Sequence, residues 1–346
     1  MQAIQLPAMT DSFPYPILSK LQLIGQINQL AALRTPFLFI IDYKAEQGYV
    51  IRQEELDDQF VLFNFQYCES NANSEELEKR NKDQGPIQWK PVPMSRKEYQ
   101  PRFDYVVGQI YKGNSFLVNL TQPTEIKTNL SLFDLYRLGN AKYKLWLKDR
   151  FVVFSPETFV RIEGRTVSSF PMKGTIDAAI PNAEEIILND PKEMAEHATI
   201  VDLIRNDLSL VADQVQVKRY RYIDKIITNK QNLLQVSSEI LGVLPADYQE
   251  RLGDILFALL PAGSICGAPK RKTLEVIEQA EGYERGFYAG ICGYYDGENL
   301  DAGVMIRYVE QEGERLIFKS GGGITAQSDL EKEYEELIQK VYVPVC

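Results

Sequence analysis

The chain has 346 residues, 45% of them hydrophobic and 25% charged, with a formal net charge of −10 and a pI near 5.0. The acidic balance argues against a nucleic-acid partner, which needs a basic face, but leaves room for a small anionic substrate held by a local cluster. The longest apolar runs, such as residues 36–41, are too short to span a bilayer, and residues 1–20 lack the basic start and apolar block of a secretory leader. Four scattered cysteines, Cys68, Cys266, Cys292 and Cys346, read as reduced thiols of a cytoplasmic protein. The single histidine, His197, argues against His-based catalysis and His-ligated zinc.

Residues 1–90 read as a reduced N-terminal portion packing on a main body at 91–346. Within it, residues 37–42, 49–52 and 60–67 are predicted strands, and the polar stretch 69–85 is a surface loop or frayed helix at the boundary. Tyr99, Phe103, Val106, Val107 and Ile110 recur at helical spacing, so residues 95–112 are predicted as a helix capped by Ser95 and stopped by Gly113. A strand follows at 116–121, then helix at 132–138 and in the neighbouring segment, then strands at 151–155, 158–163 and 166–170. Helices are expected at 182–190 and 191–212, with Pro191 in the first turn of the second. Residues 215–244 should be mostly strand, 249–260 and 270–280 helix, and 286–295, 300–309 and 315–320 an antiparallel set. A helix over about 328–341 closes the chain. Strands and helices arrive in runs, which favours an α+β fold with antiparallel sheets.

The chain is organised around Phe170-Pro171-Met172-Lys173-Gly174-Thr175, read as a strand end turning sharply with a lysine at the turn. Pro171 and Gly174 shape the backbone, and an amine that loses hydration there becomes a nucleophile or base. The competing reading is a solvent-exposed lysine. Glu193 and Glu196 lie three apart on one predicted helix, and Glu333 and Glu336 on another, which puts each pair on one face. Four convergent carboxylates suit a hard cation such as Mg²⁺; solvated helix faces are the alternative. Gly321-Gly322-Gly323 after a strand lets bare N–H groups approach an anion, or serves as a connector. Arg307, in an otherwise apolar strand, is exposed or aimed at a carboxylate, and Glu157 beside Pro156 is a general acid if its pKa is raised.

Six motifs in order carry more than any one of them. They are Phe154-Ser155-Pro156-Glu157, Pro171-Met172-Lys173-Gly174-Thr175, Glu-His-Ala-Thr-Ile-Val-Asp-Leu-Ile-Arg-Asn-Asp-Leu (196–208), Pro-Ala-Gly-Ser-Ile-Cys-Gly-Ala-Pro-Lys (261–270), Arg-Gly-Phe-Tyr-Ala-Gly (285–290) and Gly-Gly-Gly-Ile…Glu-Tyr-Glu-Glu (321–336). Over roughly residues 90–342 the series resembles the chorismate-utilising enzymes, which include anthranilate, aminodeoxychorismate, isochorismate and salicylate synthases. The resemblance implies an anthranilate synthase component I-like fold, with antiparallel sheets face to face and helices outside, and a chorismate-binding catalytic domain at 91–346. It implies Mg²⁺ on Glu193, Glu196, Glu333 and Glu336, holding the ring carboxylate of chorismate. It places Arg307, Lys340, Tyr288, Gly174, Thr175 and Gly321–Gly323 at the substrate, and makes Glu157 the acid that assists departure of the 4-hydroxyl.

Lys173 is similar to the lysine of aminodeoxychorismate synthase component I, which attacks carbon 2 of the ring; anthranilate synthases carry a small residue there. Ammonia from a separate glutamine amidotransferase subunit would then add at carbon 4, giving 4-amino-4-deoxychorismate on the 4-aminobenzoate and folate route. The water-activating lysine of the hydroxylating relatives is replaced here by Leu117. The chain departs from the family where Leu234, with Gln235 beside it, takes a usual histidine's place, where Cys266 replaces serine or threonine, and in lacking a tryptophan-binding motif. Anthranilate synthase component I and a non-catalytic chorismate-binding subunit are the alternatives.

Overall fold

Every strand pairing among the described residues is antiparallel, and the strands form two sheets. The computed structural model describes residues 13–65, 68–70, 86–226 and 232–342. The ten-stranded sheet runs Leu18–Ser19, Gln47–Arg52, Phe37–Ile41, Ile291–Tyr295, Leu300–Val304, Thr158–Glu163, Thr166–Ser169, Leu233–Val243 and Met172–Asp177, with Asp213–Ile226 also paired to Leu233–Val243. The nine-stranded sheet runs Gly267–Ala268, Leu117–Thr128, Arg315–Ile324, Tyr308–Glu312, Phe151–Ser155, Tyr143–Leu147, Val61–Phe65 and Cys68–Glu69, with Trp89–Val92 on Leu117–Thr128. Strands from before residue 90 are therefore built into both sheets. One core cluster draws on both, joining Phe39, Ile162 and Tyr294 of the first to Leu145, Val153 and Tyr308 of the second. This is the expected α+β arrangement, with antiparallel sheets face to face and helices around them.

Three helices position the site, and their sequences explain their ends. Ser95 and Glu98 form a reciprocal cap on Arg96–Tyr111, which buries Tyr99, Phe103, Val106 and Ile110 and ends before Gly113, at φ 78°. Asp190 accepts from the Glu193 N–H to cap Pro191–Leu208, and that helix buries His197, Ile200, Val201, Ile204 and Leu208. Asp329 caps Leu330–Gln339, which buries Glu333 and Leu337. Each cap is worth about 1 kcal/mol.

Three expectations are corrected and one helix is added. The segment after Leu132–Leu138 is a strand, Tyr143–Leu147, because it is buried on both faces: Tyr143, Leu145 and Leu147 face the main core and Trp146 the outer cluster. Residues 300–309 are two strands, since the chain leaves one sheet at Val304 and enters the other at Tyr308, with Arg307 at φ 53° between them. Lys173 lies inside a strand, Met172–Asp177, where a bulge at Gly174 (φ 76°) makes the expected bend. The helix Lys20–Ala32 was not anticipated; its buried Leu23, Ile27, Leu30 and Ala31 supply the spacing that marks it. Of the expected boundary loop at 69–85, Glu69 lies in the strand Cys68–Glu69 and residues 71–85 lie outside the described residues, as does Cys346. Cys68, Cys266 and Cys292 are free thiols, and burial pushes Cys266 up to about 11. Among the described residues no helix is long and apolar enough to cross a membrane.

Candidate active site

Two short crossings between the sheets set the floor of the site. Pro156 and Glu157 link Phe151–Ser155 to Thr158–Glu163, and Met305–Arg307 carries the chain back. The crossings are stitched together: the Val304 N–H donates to the Glu157 carbonyl (3.1 Å) and the Phe154 N–H to the Arg307 carbonyl (3.1 Å). Glu157 and Arg307, far apart in sequence, are thereby neighbours. The Ser264 hydroxyl makes a short hydrogen bond to Oε1 of Glu157. Desolvation raises the Glu157 carboxyl above the ordinary range, against Ser264 and the charge of Lys173, which both lower it. A small cavity of about 30 Å³ is lined by Glu157, Ser264, Phe170, Pro171 and Asp207.

Lys173 reaches from the bulged strand toward the glycine-rich strand. A Cβ on Gly323 would lie 3.3 Å from its Nζ and 3.0 Å from Cδ1 of Leu117, so amine and leucine flank one bare patch of backbone. The amine lies 3.3 Å from Oε2 of Glu196, and a quarter of the side chain stays exposed. It is thus partly sheltered rather than stripped of water, and a carboxylate is its ion-pair partner. A Cβ on Gly174 would meet Oε2 of Glu193 at 3.0 Å, so that glycine leaves room for the carboxylate as well as for its own positive φ.

The two acidic pairs face one another. Lys192 spans them, 3.8 Å from Oε1 of Glu196 and 3.8 Å from Oε1 of Glu333, so those oxygens are no more than twice that distance apart. Gly322 completes the enclosure, since a Cβ there would lie 3.5 Å from Oε2 of Glu333 and 4.0 Å from Oε1 of Glu336. Desolvation and the neighbouring Glu196 raise Glu193; desolvation and Glu336 raise Glu333, against a 2.7 Å hydrogen bond from Ser328. Desolvation also acts to raise Glu336, but Lys340 outweighs it, with Lys173 and Lys192 adding to the lowering. Lys340 Nζ lies 2.6 Å from Oε1 of Glu336 and donates to the Gly321 carbonyl at 3.1 Å. Among the described residues no three acidic, His or Cys side chains close into a ready-made metal cage. The fit to a cation rests on the donor set: hard carboxylate oxygens from two helices around one space, already holding a lysine ammonium as a stand-in.

The remaining expected residues differ in their settings. Tyr288 is buried, its hydroxyl driven up by desolvation against Arg285 and Arg307. Arg307 donates to the Lys340 carbonyl at 3.0 Å and stacks on Tyr342 at 4.7 Å. Gly321 packs on Thr121, where a Cβ would meet Cγ2 at 2.4 Å. Thr175 is exposed, opposite Gln235; Leu234 stands opposite Ile176. His197, next to Glu196, turns into the core, bonds Ser238 at 2.7 Å and is pushed down to about 4 by burial, with Arg221 and Lys173 adding to it, so it is a neutral packing residue. Sequence reasoning gave no role to Lys192 or Ser264. The i, i+4 spacing of Lys192 and Glu196 signalled the first pairing; nothing local signals Ser264, which lies 107 positions from Glu157.

A family model described as chorismate binding enzyme matches residues 16–345. The chain belongs to the chorismate binding enzyme family. It is 48% identical over 326 residues to an uncharacterized PabA-like protein of Haemophilus influenzae, covering 93% of this chain and 96% of that one. It is 33% identical over 256 residues to anthranilate synthase component 1 of Archaeoglobus fulgidus, covering 71% and 61%. Among solved structures, anthranilate synthase component I from Streptococcus pneumoniae superposes with a TM-score of 0.64 at 21% identity, covering 97% of this chain and 82% of that one. The menaquinone-specific isochorismate synthase MenF from Escherichia coli superposes at 0.69 with 16% identity, covering 94% and 82%. These likenesses support the expected fold and place the chain among enzymes that act on chorismate.

Proposed function

We propose that this chorismate binding enzyme converts chorismate to 4-amino-4-deoxychorismate, using ammonia from a glutamine amidotransferase subunit, in 4-aminobenzoate and folate synthesis. The observation that carries the reading is the placement of Lys173: its amine shares one bare glycine patch with Leu117, next to Glu196, within electrostatic reach of Glu157. Mg²⁺ would be held by Glu193, Glu196, Glu333 and Glu336, and when bound would orient and neutralise the ring carboxylate. The Gly321–Gly323 backbone and Arg307 would bind the rest of the diacid. With its ammonium proton lost to solvent, Lys173 attacks carbon 2, the two ring double bonds each shift by one position, and the bond from carbon 4 to its hydroxyl breaks with its electron pair leaving on the oxygen. Glu157, held toward its protonated form by desolvation, gives its proton to the leaving hydroxyl, which departs as water. Ammonia then bonds to carbon 4, the two double bonds shift back, and the Lys173 amine is expelled. Leu117 cannot take a proton from water, which favours the amine route over hydroxylation.

Anthranilate synthase component I is the second reading, favoured by the relatives that carry that name. Lys173 disfavours it. The test is Lys173→Ala. Loss of amination with Mg²⁺-dependent chorismate binding retained supports the covalent role, and unchanged amination removes it. An unmutated chain that does not turn over chorismate even with ammonium supplied would instead be a non-catalytic chorismate-binding subunit.

A further inference from the structure

Each acidic helix has its own lysine: Lys173 lies 3.3 Å from Glu196, and Lys340 lies 2.6 Å from Glu336. Lys192 differs from both. It stands in the first turn of Pro191–Leu208, yet its ammonium lies 3.8 Å from Glu196 on its own helix and 3.8 Å from Glu333 on Leu330–Gln339. Among the described residues this is the one ion pair joining the two helices.

We propose that Lys192 is a built-in counter-cation: it occupies the space between the acidic pairs when no divalent ion is bound and must swing out before one can enter. This rests on the reading of the four glutamates as a cation site. Four carboxylates facing one partly desolvated space repel each other, and without a counter-charge the two helices would be pushed apart. One ammonium placed between them relieves that repulsion and keeps the carboxylates in register. A divalent ion relieves it better, with twice the charge and direct oxygen contacts. The two cannot share the space, because like charges would then lie side by side.

Lys192 is suited to leave. Nearly half of its side chain is exposed (46%), so its flexible four-carbon stem can carry the ammonium into water. Lys173 and Lys340 also face the cluster, but each is tied to one helix, and Lys340 is further held by the Gly321 carbonyl. The device exchanges ion affinity for a site that stays assembled while empty.

The test measures Mn²⁺ binding by the spin resonance of the free ion, with no substrate present, in the whole chain and in Lys192→Met and Lys192→Arg. Removing the competitor should tighten Mn²⁺ binding by about tenfold in Lys192→Met, within the usual range for one coupled interaction, while Lys192→Arg stays near the unmutated value. Melting in chelator should be lowered in Lys192→Met and restored by Mn²⁺. Unchanged or weaker Mn²⁺ binding in a folded Lys192→Met overturns the proposal alone. No Mn²⁺ binding by the unmutated chain overturns both the proposal and the cation-site reading beneath it.

Discussion

Replacing Ser264 with alanine removes the hydroxyl that donates to Glu157 and leaves the crossings and the backbone intact. A hydrogen bond to a charged group contributes about 1.5–3 kcal/mol, and one pKa unit corresponds to about 1.4 kcal/mol. Glu157 is only partly buried, so the lower figure applies and its pKa should rise by about one unit further. The carboxyl already sits above its ordinary 4.5 because burial penalises the charge. A raised carboxyl leaves stability intact below its unfolded value and removes it as pH climbs through the folded value. Ser264→Ala should therefore unfold like the unmutated protein near pH 4 and be about 1.5 kcal/mol less stable at pH 7–8, read by denaturant titration across that range. If Glu157 donates its proton to the leaving hydroxyl, the alkaline limb of the kcat/KM profile should move up by the same unit, because the acid form persists to higher pH. An equal stability loss at both pH values, with the alkaline limb fixed, would refute the claim that Ser264 sets the Glu157 charge.

Gly323→Ala puts a methyl 3.3 Å from the Lys173 amine and 3.0 Å from Leu117, and should cut kcat by about 10–100-fold through displacement of the amine, measured by steady-state kinetics. Unchanged kcat would place the working amine elsewhere. Gly174→Ala forces a side chain into φ 76° beside the Glu193 carboxylate and should cost about 1–2 kcal/mol, seen by chemical denaturation; neutrality would contradict the bulge geometry. Glu281→Gln strands the Arg285 guanidinium, which lies 2.6 Å from Glu281 with both side chains 2% exposed, and should cost about 3–5 kcal/mol. A loss under about 1 kcal/mol would show that backbone carbonyls alone satisfy the arginine.

Local rules made much of the fold and part of the site legible. The Ser95 cap, the Asp190-Pro191 start and the i, i+3 glutamates are statements about neighbours on one helix, and they appear in the structure as read. What failed to show is set by distant strands. Arg307 looked like a strand residue because nothing nearby marks the chain's passage from one sheet to the other between Val304 and Tyr308. Nothing local marks Tyr143–Leu147 as a strand, because burial on both faces erases the alternation that would show it. The meeting of Ser264 with Glu157, and of Lys192 with Glu333, comes from tertiary packing alone.

The most direct test of the account is the identity of the product when the purified chain is given chorismate, Mg²⁺ and ammonium salt. Accumulation of 4-amino-4-deoxychorismate without pyruvate is the predicted result. Anthranilate released together with pyruvate would contradict it.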